Sequence, residues 1–155
     1  MAALLTGETF DSFVLSRAQI TTFCTFTVEG MYHGAFDEDE ADAVTKDLRD
    51  SSGCVPWGRV KGHVMNLIRG HRPPLSMQIM LMAPDELRSR ILEGSTADPA
   101  DIASLSLGIR FRDGELTLVT GTGTRTFIAD RSYEPLWDSY VRSFLDAAGI
   151  ETQDL

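Results

Sequence analysis

The clearest alternation of apolar and polar positions lies between residues 105 and 129. In the first part of this stretch, every second side chain is apolar: Leu105, Leu107, Ile109 and Phe111. A period of two residues is typical of a β-strand with one buried face. The dipeptide Asp113-Gly114 follows, and it strongly favours a two-residue hairpin turn. Such a turn pairs Phe111 with Leu116 and keeps the apolar side chains of both strands on one face. It also pairs Ile109 with Leu118.

A second turn is predicted at residues 121–124, Gly-Thr-Gly-Thr. A four-residue loop there pairs Leu118 with Phe127 and again keeps the apolar side chains on one face. Residues 105–129 are therefore expected to form a three-stranded antiparallel meander. The two glycines do not indicate a phosphate-binding loop, because such a loop leads into a helix and residues 125–128 are strand-like.

Two further strands are indicated nearer the N-terminus. One is marked by apolar side chains at every second position: Leu75, Met77, Ile79 and Leu81. The other spans residues 20–28, which are rich in threonine and phenylalanine and so have high β propensity. Glu29-Gly30 is expected to turn the chain back into residues 31–36.

Three segments have the apolar periodicity of amphipathic helices. Residues 57–70 place five apolar side chains on one face: Trp57, Val60, Val64, Leu67 and Ile68. Residues 84–93 begin with a proline and two acids, which favour a helix N-terminus. Residues 134–148 carry a stripe that is expected to pack on the sheet: Trp137, Tyr140, Val141, Phe144 and Leu145. A short helical piece is expected at residues 2–5.

The predicted order of elements indicates the α+β class. We expect a mostly antiparallel sheet of about five to six strands with about three helices packed on one face. The length of 155 residues, with 43% apolar and 24% charged side chains, fits one globular domain spanning residues 1–155. No apolar run is long enough to cross a bilayer, and the N-terminus lacks the pattern of a signal peptide. A cytoplasmic location is therefore expected.

Charge is segregated along the middle of the chain. Residues 37–50 hold seven acids and two bases, whereas residues 51–84 contain no Asp or Glu. The second stretch carries four cations: Arg59, Lys61, Arg69 and Arg72. Because the net charge of the chain is −9, this is a local inversion of sign. It either faces an anionic ligand or pairs with the adjacent acids, and the sequence leaves both interpretations open.

The basic stretch provides the candidate ligand-binding residues: Arg59, His63, Arg69, His71 and Arg72. On the helix predicted over residues 57–70, the first three fall opposite the apolar stripe. Arginine side chains bind phosphate and carboxylate groups through paired N–H donors, so this surface fits an anion. The alternative is an ordinary amphipathic helix with solvated cations near its C-terminus, where the helix dipole favours them.

Other kinds of site find little support in the sequence. The three histidines, together with Cys24 and Cys54, lack the spacing of metal or redox motifs, so no metal and no organic cofactor are expected. No nucleophile motif is present, and catalytic residues therefore stay unassigned. The acidic net charge argues against nucleic-acid binding. Membrane association is not expected either.

Three parts of the chain carry a recognisable combination of patterns: residues 4–30, Trp57 and residues 67–81. The first includes an F-x-L-S-x-A-x-I-T-T pattern, and the last includes an R-G-x-R-x-P-L element. With these patterns the chain resembles an uncharacterised bacterial domain family of unknown function, found in gut anaerobes of the clostridial and actinobacterial type. The resemblance spans most of the chain and implies no activity, because it brings no catalytic or binding residues with it.

The leading hypothesis is a small domain of binding or protein-interaction type, whose partner is a small anionic ligand or another protein. The first alternative is a cofactor-independent enzyme with a site assembled from dispersed residues: Glu29, His33, His71 and Arg72. The second alternative is a structural homodimer formed through a sheet edge or through the predicted helix that carries Gly58 and Gly62.

Overall fold

Five β-strands and four α-helices make up the part of the chain that the computed structural model describes, residues 2–33, 51–68 and 72–154. In chain order they are α1 (Ala2–Leu5), β1 (Val14–Thr21), β2 (Thr25–Glu29), α2 (Trp57–Ile68), β3 (Ser76–Met82), α3 (Asp85–Leu92), β4 (Ile102–Arg112), β5 (Glu115–Thr124) and α4 (Tyr133–Ala147). A short 3-10 helix, Pro99–Asp101, precedes β4. Among the residues that the structure describes, no helix combines the length and the hydrophobicity that a transmembrane span needs.

The strands form one antiparallel sheet in the order β2-β1-β3-β4-β5. Buried side chains alternate with more exposed ones along β3, because successive residues of a strand point to opposite faces. The buried residues of the strands share one hydrophobic core with those of the helices. The other face carries exposed polar side chains: Arg17, Gln19, Gln78 and Arg110. The predicted α+β class is therefore confirmed, with three main helices on one face of the sheet.

Two fully buried tryptophans fix helices α2 and α4. Trp57 Nε1 donates a hydrogen bond to the main-chain oxygen of Leu4, and Trp137 Nε1 donates one to that of Ser106, both at 2.9 Å. Each indole thus places its ring in the core and satisfies its single polar atom, as a buried tryptophan requires. The prediction that α4 packs on the sheet is confirmed.

The hairpin predicted at Asp113-Gly114 is also confirmed. Phe111 pairs with Leu116, and Ile109 pairs with Leu118, as predicted. Asp113 has a φ of 52° and Gly114 a φ of 85°, and two positive values are what the expected turn type requires. Leu116 is 37% exposed because β5 is an edge strand with a neighbour on one side only.

The second predicted turn, over the Gly-Thr-Gly-Thr stretch, is wrong, because β5 continues through it. Gly121 pairs with Ser106, and Gly123 pairs with Ser104. A Cβ atom would lie 2.7 Å from Oγ of the serine in the first pair and 2.6 Å in the second. The glycines make room for the serine side chains of β4 and do not turn the chain. No third strand of the meander forms among the described residues, and Phe127 is 96% exposed.

The N-terminal hairpin lies earlier in the chain than predicted. The sequence predicts one strand over residues 20–28, but the chain turns within this stretch and joins β1 to β2. A β-bulge between Leu15 and Arg17 explains the error, because an extra residue shifts the alternation and hides the first half of β1. The chain does not turn back at residues 29–30, and most of the strand predicted over 31–36 lies outside the described residues.

Candidate binding groove

A groove of about 620 Å³ lies between β5, α4 and the C-terminal residues 150–154. Because β5 is an edge strand, one wall of the groove is a free edge of the sheet. Apolar side chains line it from the strands, the helix and the tail: Leu107, Leu118, Val141, Leu145 and Ile150. Its volume and apolar lining are those of a cleft that can hold a ligand.

Residues 150–154 form the third wall of the groove, after β5 and α4. They reach it because a glycine in the left-handed conformation turns the chain at the end of α4. Gly149 has a φ of 69°. Its N–H donates to the main-chain oxygen of Asp146 at 3.0 Å, and the N–H of Ile150 donates to that of Leu145 at 2.9 Å. This arrangement is typical of a glycine cap at a helix C-terminus. Residues 150–154 therefore leave the helix on the side of the groove.

An ion pair holds the end of this tail against α4. Arg142 Nη2 lies 2.8 Å from Asp154 Oδ1. The hydrogen bond from Arg142 and its positive charge lower the pKa of Asp154, and the same contacts raise the pKa of Arg142. Because both side chains are well exposed, solvent screens the pair and its contribution to folding stability is small. The pair places Asp154, at the end of the tail, beside α4.

The rim of the groove is polar and links the strand to the helix. Thr120 Oγ1 donates to Asp138 Oδ1 at 2.5 Å. Further along β5, Thr122 Oγ1 donates to Glu134 Oε1 at 3.3 Å, and Arg131 contacts the same carboxylate oxygen at 2.6 Å. These threonines lie on the helix side of the sheet, where apolar side chains dominate elsewhere. Carboxylates of α4 supply the hydrogen-bond partners that such positions need.

Acidic side chains outnumber basic ones around the groove. Four acids line it: Glu115, Asp138, Glu151 and Asp154. The one base in the lining is Arg142, so the formal charge of the lining is −3. Side chains of one sign around a cleft attract ligands of the opposite sign. The groove therefore favours a cationic ligand, in contrast to the anion expected at the basic stretch.

The main chain of β5 presents hydrogen-bonding groups beside the groove that no other described strand pairs with. In a hairpin with a two-residue turn, the pair that flanks the turn is hydrogen-bonded and the following pairs alternate. Arg112 and Glu115 flank this turn. The N–H and C=O groups that point away from β4 therefore belong to every second residue after it: Leu116, Leu118 and Thr120. After Glu115 the strand has no charged residue and no proline, the features that commonly protect an edge.

The predicted ligand-binding residues that the structure describes lie away from the groove. Arg59 and His63 are exposed on α2, where they line an open depression of about 500 Å³ with Asn66. Arg72 is exposed just before β3. The two remaining residues of the prediction, Arg69 and His71, lie outside the described residues. Within the described part of the chain, the structure thus brings Arg59 and His63 to one surface.

Lys61 belongs to the same charge pattern but has a different partner. Its Nζ lies 2.5 Å from Asp11 Oδ1 and donates to the main-chain oxygen of Gly7 at 2.8 Å. The side chain is only 17% exposed. One cation of the basic stretch is therefore neutralised by an acid from the N-terminal segment, which neither interpretation of the charge pattern included. Arg59 forms no ion pair with any residue that the structure describes.

The histidines and cysteines that the structure describes do not converge on one site. His33 and His63 are exposed, Cys24 is exposed and Cys54 is buried. No group of three or more His, Cys, Asp and Glu residues that could hold a metal ion occurs in the described ranges. Among the residues named for a dispersed enzyme site, Glu29 is exposed at the β2 edge. Arg72 is exposed as noted above, and His71 is not described.

Sequence reasoning missed the groove because it assigned the end of β5 to a turn. The available signal was the alternation of Leu116, Leu118, Thr120 and Thr122 on one face. Threonine on the helix side of a strand indicates a polar partner in the layer above it. The carboxylates that provide those partners lie on α4, and nothing local in the sequence connects them to β5.

Comparisons with known proteins give a family but no characterised relative. No curated protein and no solved structure was found to match the chain. A model of a family of unknown function, DUF5721, matches residues 3–153, which is nearly the whole chain. The match confirms the expectation of a family without an assigned activity. The chain therefore belongs to DUF5721, a family of unknown function.

Proposed function

We propose that this domain is a protein-interaction module that binds an extended, positively charged peptide segment as an added strand along β5. The observation that supports this most directly is the position of the groove. Outward-pointing main-chain groups, an apolar lining and a surplus of acids meet there. In strand addition, main-chain hydrogen bonds give affinity and sites for alternate side chains give specificity.

The groove also indicates which side chains the peptide carries. Side chains of an added strand alternate between the two faces of the sheet, so every second one enters the groove. There it is surrounded by the apolar side chains of Leu118 and Val141 and by the carboxylates of Asp138 and Glu151. Lysine and arginine fit both parts, because their apolar stems pack on leucine and valine while their charged ends stay near acids and water.

Asp154 and Asp138 are poorly suited to acid–base catalysis. A carboxyl that acts as a general acid near neutral pH needs a raised pKa. The pKa of Asp154 is lowered by Arg142 instead. Asp138 is exposed and already accepts the hydrogen bond from Thr120. Binding is therefore the better use of these side chains.

Fluorescence anisotropy with labelled peptides of about nine residues tests the proposal, a length that matches one strand. A peptide of alternating Lys and Val should bind saturably, and its affinity should fall with added salt. A peptide of alternating Glu and Val should bind much more weakly. N-methylation of alternate amides in the Lys-Val peptide removes strand pairing without changing its charge, and it should abolish binding. Equal affinity of all three peptides would overturn the proposal.

Two charge reversals on α4 provide a matched comparison. Asp138 and Asp146 are both exposed on this helix, but only Asp138 lines the groove. We expect Asp138→Lys to weaken binding of the Lys-Val peptide roughly tenfold, because it places a like charge in the groove. Asp146→Lys changes the net charge equally and should have little effect. If both variants lose the same affinity, the peptide responds to the overall charge and not to the groove.

We further propose that the exposed surface around Arg59 and His63 binds a small anion, with Arg69, His71 and Arg72 as the other predicted contributors. The observation in favour is that Arg59 lines an open depression without an ion pair from the described residues. Melting curves in phosphate and in chloride at matched ionic strength test it. Phosphate at a hundred times its dissociation constant should stabilise the protein by about 2.7 kcal/mol. Arg59→Ala should remove this effect, and superimposable curves for the wild type would exclude a phosphate site.

A further inference from the structure

Two exposed apolar side chains flank β2, which forms the other edge of the sheet. Phe23 precedes the strand and is 93% exposed, and Met31 follows it and is 55% exposed. The ring of Phe23 packs against Phe26, with their centroids 5.9 Å apart. β2 contains no proline and no positive charge, and its one charged residue is Glu29. Apolar side chains beside an unprotected strand edge are typical of an interaction surface.

The hydrogen bonds around β2 show which of its main-chain groups are free. The N–H of Gly30 donates to the oxygen of Ser16 at 3.1 Å, and at the other end the N–H of Thr22 donates to the oxygen of Cys24 at 2.9 Å. The even-numbered residues of β2 therefore face β1, since pairing alternates along an antiparallel ladder. Among the described residues, nothing pairs with the N–H and C=O groups of the odd-numbered residues of β2: Thr25, Thr27 and Glu29.

These free groups are complementary to those of an identical strand. Suppose that a second copy of the chain pairs antiparallel with Thr27 opposite its own Thr27. Thr25 then faces Glu29 of the second copy, and all free groups meet free groups. The same register places Phe26 against Val28. It also brings the turn that carries Phe23 next to Met31 of the second copy, so that the two exposed apolar side chains lie at the same end of the interface. A twofold axis generates each of these contacts twice.

We propose that the chain forms a symmetric homodimer by pairing β2 with β2 of a second copy, which extends the sheet from five strands to ten. The free groups of each strand supply about six main-chain hydrogen bonds. Contacts between methionine sulfur and an aromatic ring add to them at both ends. This dimer uses the edge opposite the groove, and so it does not depend on the proposed function. Because the paired segment is short, we expect a reversible dimer with a dissociation constant in roughly the micromolar range.

Opposite charges at Thr25 give a matched test of the register. Thr25→Lys and Thr25→Glu both remove the contact of 3.1 Å between the Oγ1 atoms of Thr21 and Thr25, so their effects on the monomer are comparable. In the dimer a lysine at this position faces Glu29 of the second copy, whereas a glutamate faces it as a like charge. We expect Thr25→Lys to tighten the dimer and Thr25→Glu to weaken it, roughly fivefold each.

Sedimentation equilibrium of the full chain from about 1 μM to about 1 mM measures these constants. Phe23→Ser and Leu75→Ser serve as a second matched pair, since both residues are exposed but only Phe23 lies in the proposed interface. Phe23→Ser should weaken the dimer, and Leu75→Ser should leave it unchanged. A wild-type protein that stays monomeric throughout the range overturns the proposal. So does a dimer that Thr25→Lys and Thr25→Glu affect equally.

Discussion

Trp137 on α4 donates its indole N–H to the main-chain oxygen of Ser106 on β4 at 2.9 Å, and its ring is fully buried. β4 is the neighbour of β5, so this contact attaches the helix to the sheet directly beside the strand that borders the groove. Trp137 therefore helps to set the separation between α4 and the β5 edge, together with the hydrogen bonds that Thr120 and Thr122 donate to the helix.

Substitution of Trp137 should separate the contribution of its buried ring from that of its hydrogen bond to Ser106. Trp137→Ala removes a large buried ring and should lower the free energy of unfolding by about 3–5 kcal/mol. Trp137→Phe keeps most of the ring but removes the indole N–H that donates to the Ser106 oxygen, and should cost about 1 kcal/mol, because this oxygen keeps its place in the β4–β5 ladder. Urea denaturation of both variants measures the difference. Equal losses in the two would show that the hydrogen bond, and not the packing, dominates.

The elements that local rules control were predictable from the sequence. Alternation up to Phe111, with a turn dipeptide right after it, determines both the register and the buried face of the β4–β5 hairpin. The helices predicted from the apolar periodicity also form, because each of them packs one row of apolar side chains on the core. Local rules failed at Gly121, whose role depends on Ser106 in the neighbouring strand. They failed again at the bulge near Leu15, where a single extra residue shifts the period.

The candidate groove was less accessible to sequence reasoning than the fold. Its charge comes from side chains that are far apart in the sequence, and its wall depends on the turn at Gly149. The pairing of Lys61 with Asp11 shows the same limit, since the two residues are brought together only by the packing of α2. Charge runs are visible in a sequence, whereas charge clusters are formed by the fold.

Gly121 and Ser106 should show strong coupling if the glycine makes room for the serine. Gly121→Ala places a Cβ atom 2.7 Å from Ser106 Oγ, which forces the hydroxyl out of its present rotamer and should cost about 1 kcal/mol. Ser106→Ala removes the obstructing oxygen, so the double variant should recover most of that loss. Chemical denaturation of the two single variants and the double variant closes the cycle. Additive effects would mean that the glycine serves the backbone and not the neighbouring side chain.

The two glycines of α2 should respond to alanine in opposite directions. A Cβ atom at Gly62 meets nothing within 4 Å, so Gly62→Ala should stabilise the protein by about 1 kcal/mol through helix propensity. A Cβ atom at Gly58 would lie 3.0 Å from Asp11 Cβ, whose carboxylate holds Lys61. In Gly58→Ala this crowding should outweigh the gain in helix propensity, so the substitution should destabilise the protein. Thermal unfolding of the two variants tests the contrast, and stabilisation by both would show that Asp11 moves freely.

Acid should weaken the contact between the loops around Thr96 and Asp130. Asp130 Oδ2 accepts a hydrogen bond from Thr96 Oγ1 at 2.7 Å, and Oδ1 accepts one from the N–H of Ser132 at 2.9 Å. These bonds hold the pKa of Asp130 below its usual value. A carboxyl with a lower pKa in the folded state contributes stability above its unfolded pKa, and this contribution is lost as the pH falls through the folded value.

The free energy of unfolding should therefore decrease below about pH 4, and part of this decrease belongs to Asp130. Asp130→Asn does not titrate in this range, so its stability curve should be flatter between about pH 5 and about pH 2. Thr96→Val removes one donor, which returns the pKa of Asp130 towards its usual value and should flatten the curve less. Urea denaturation across this pH range measures all three proteins. If the curves of the wild type and Asp130→Asn stay parallel, the two loops are held by their hydroxyl contacts alone, such as the Ser95–Ser132 hydrogen bond of 2.8 Å.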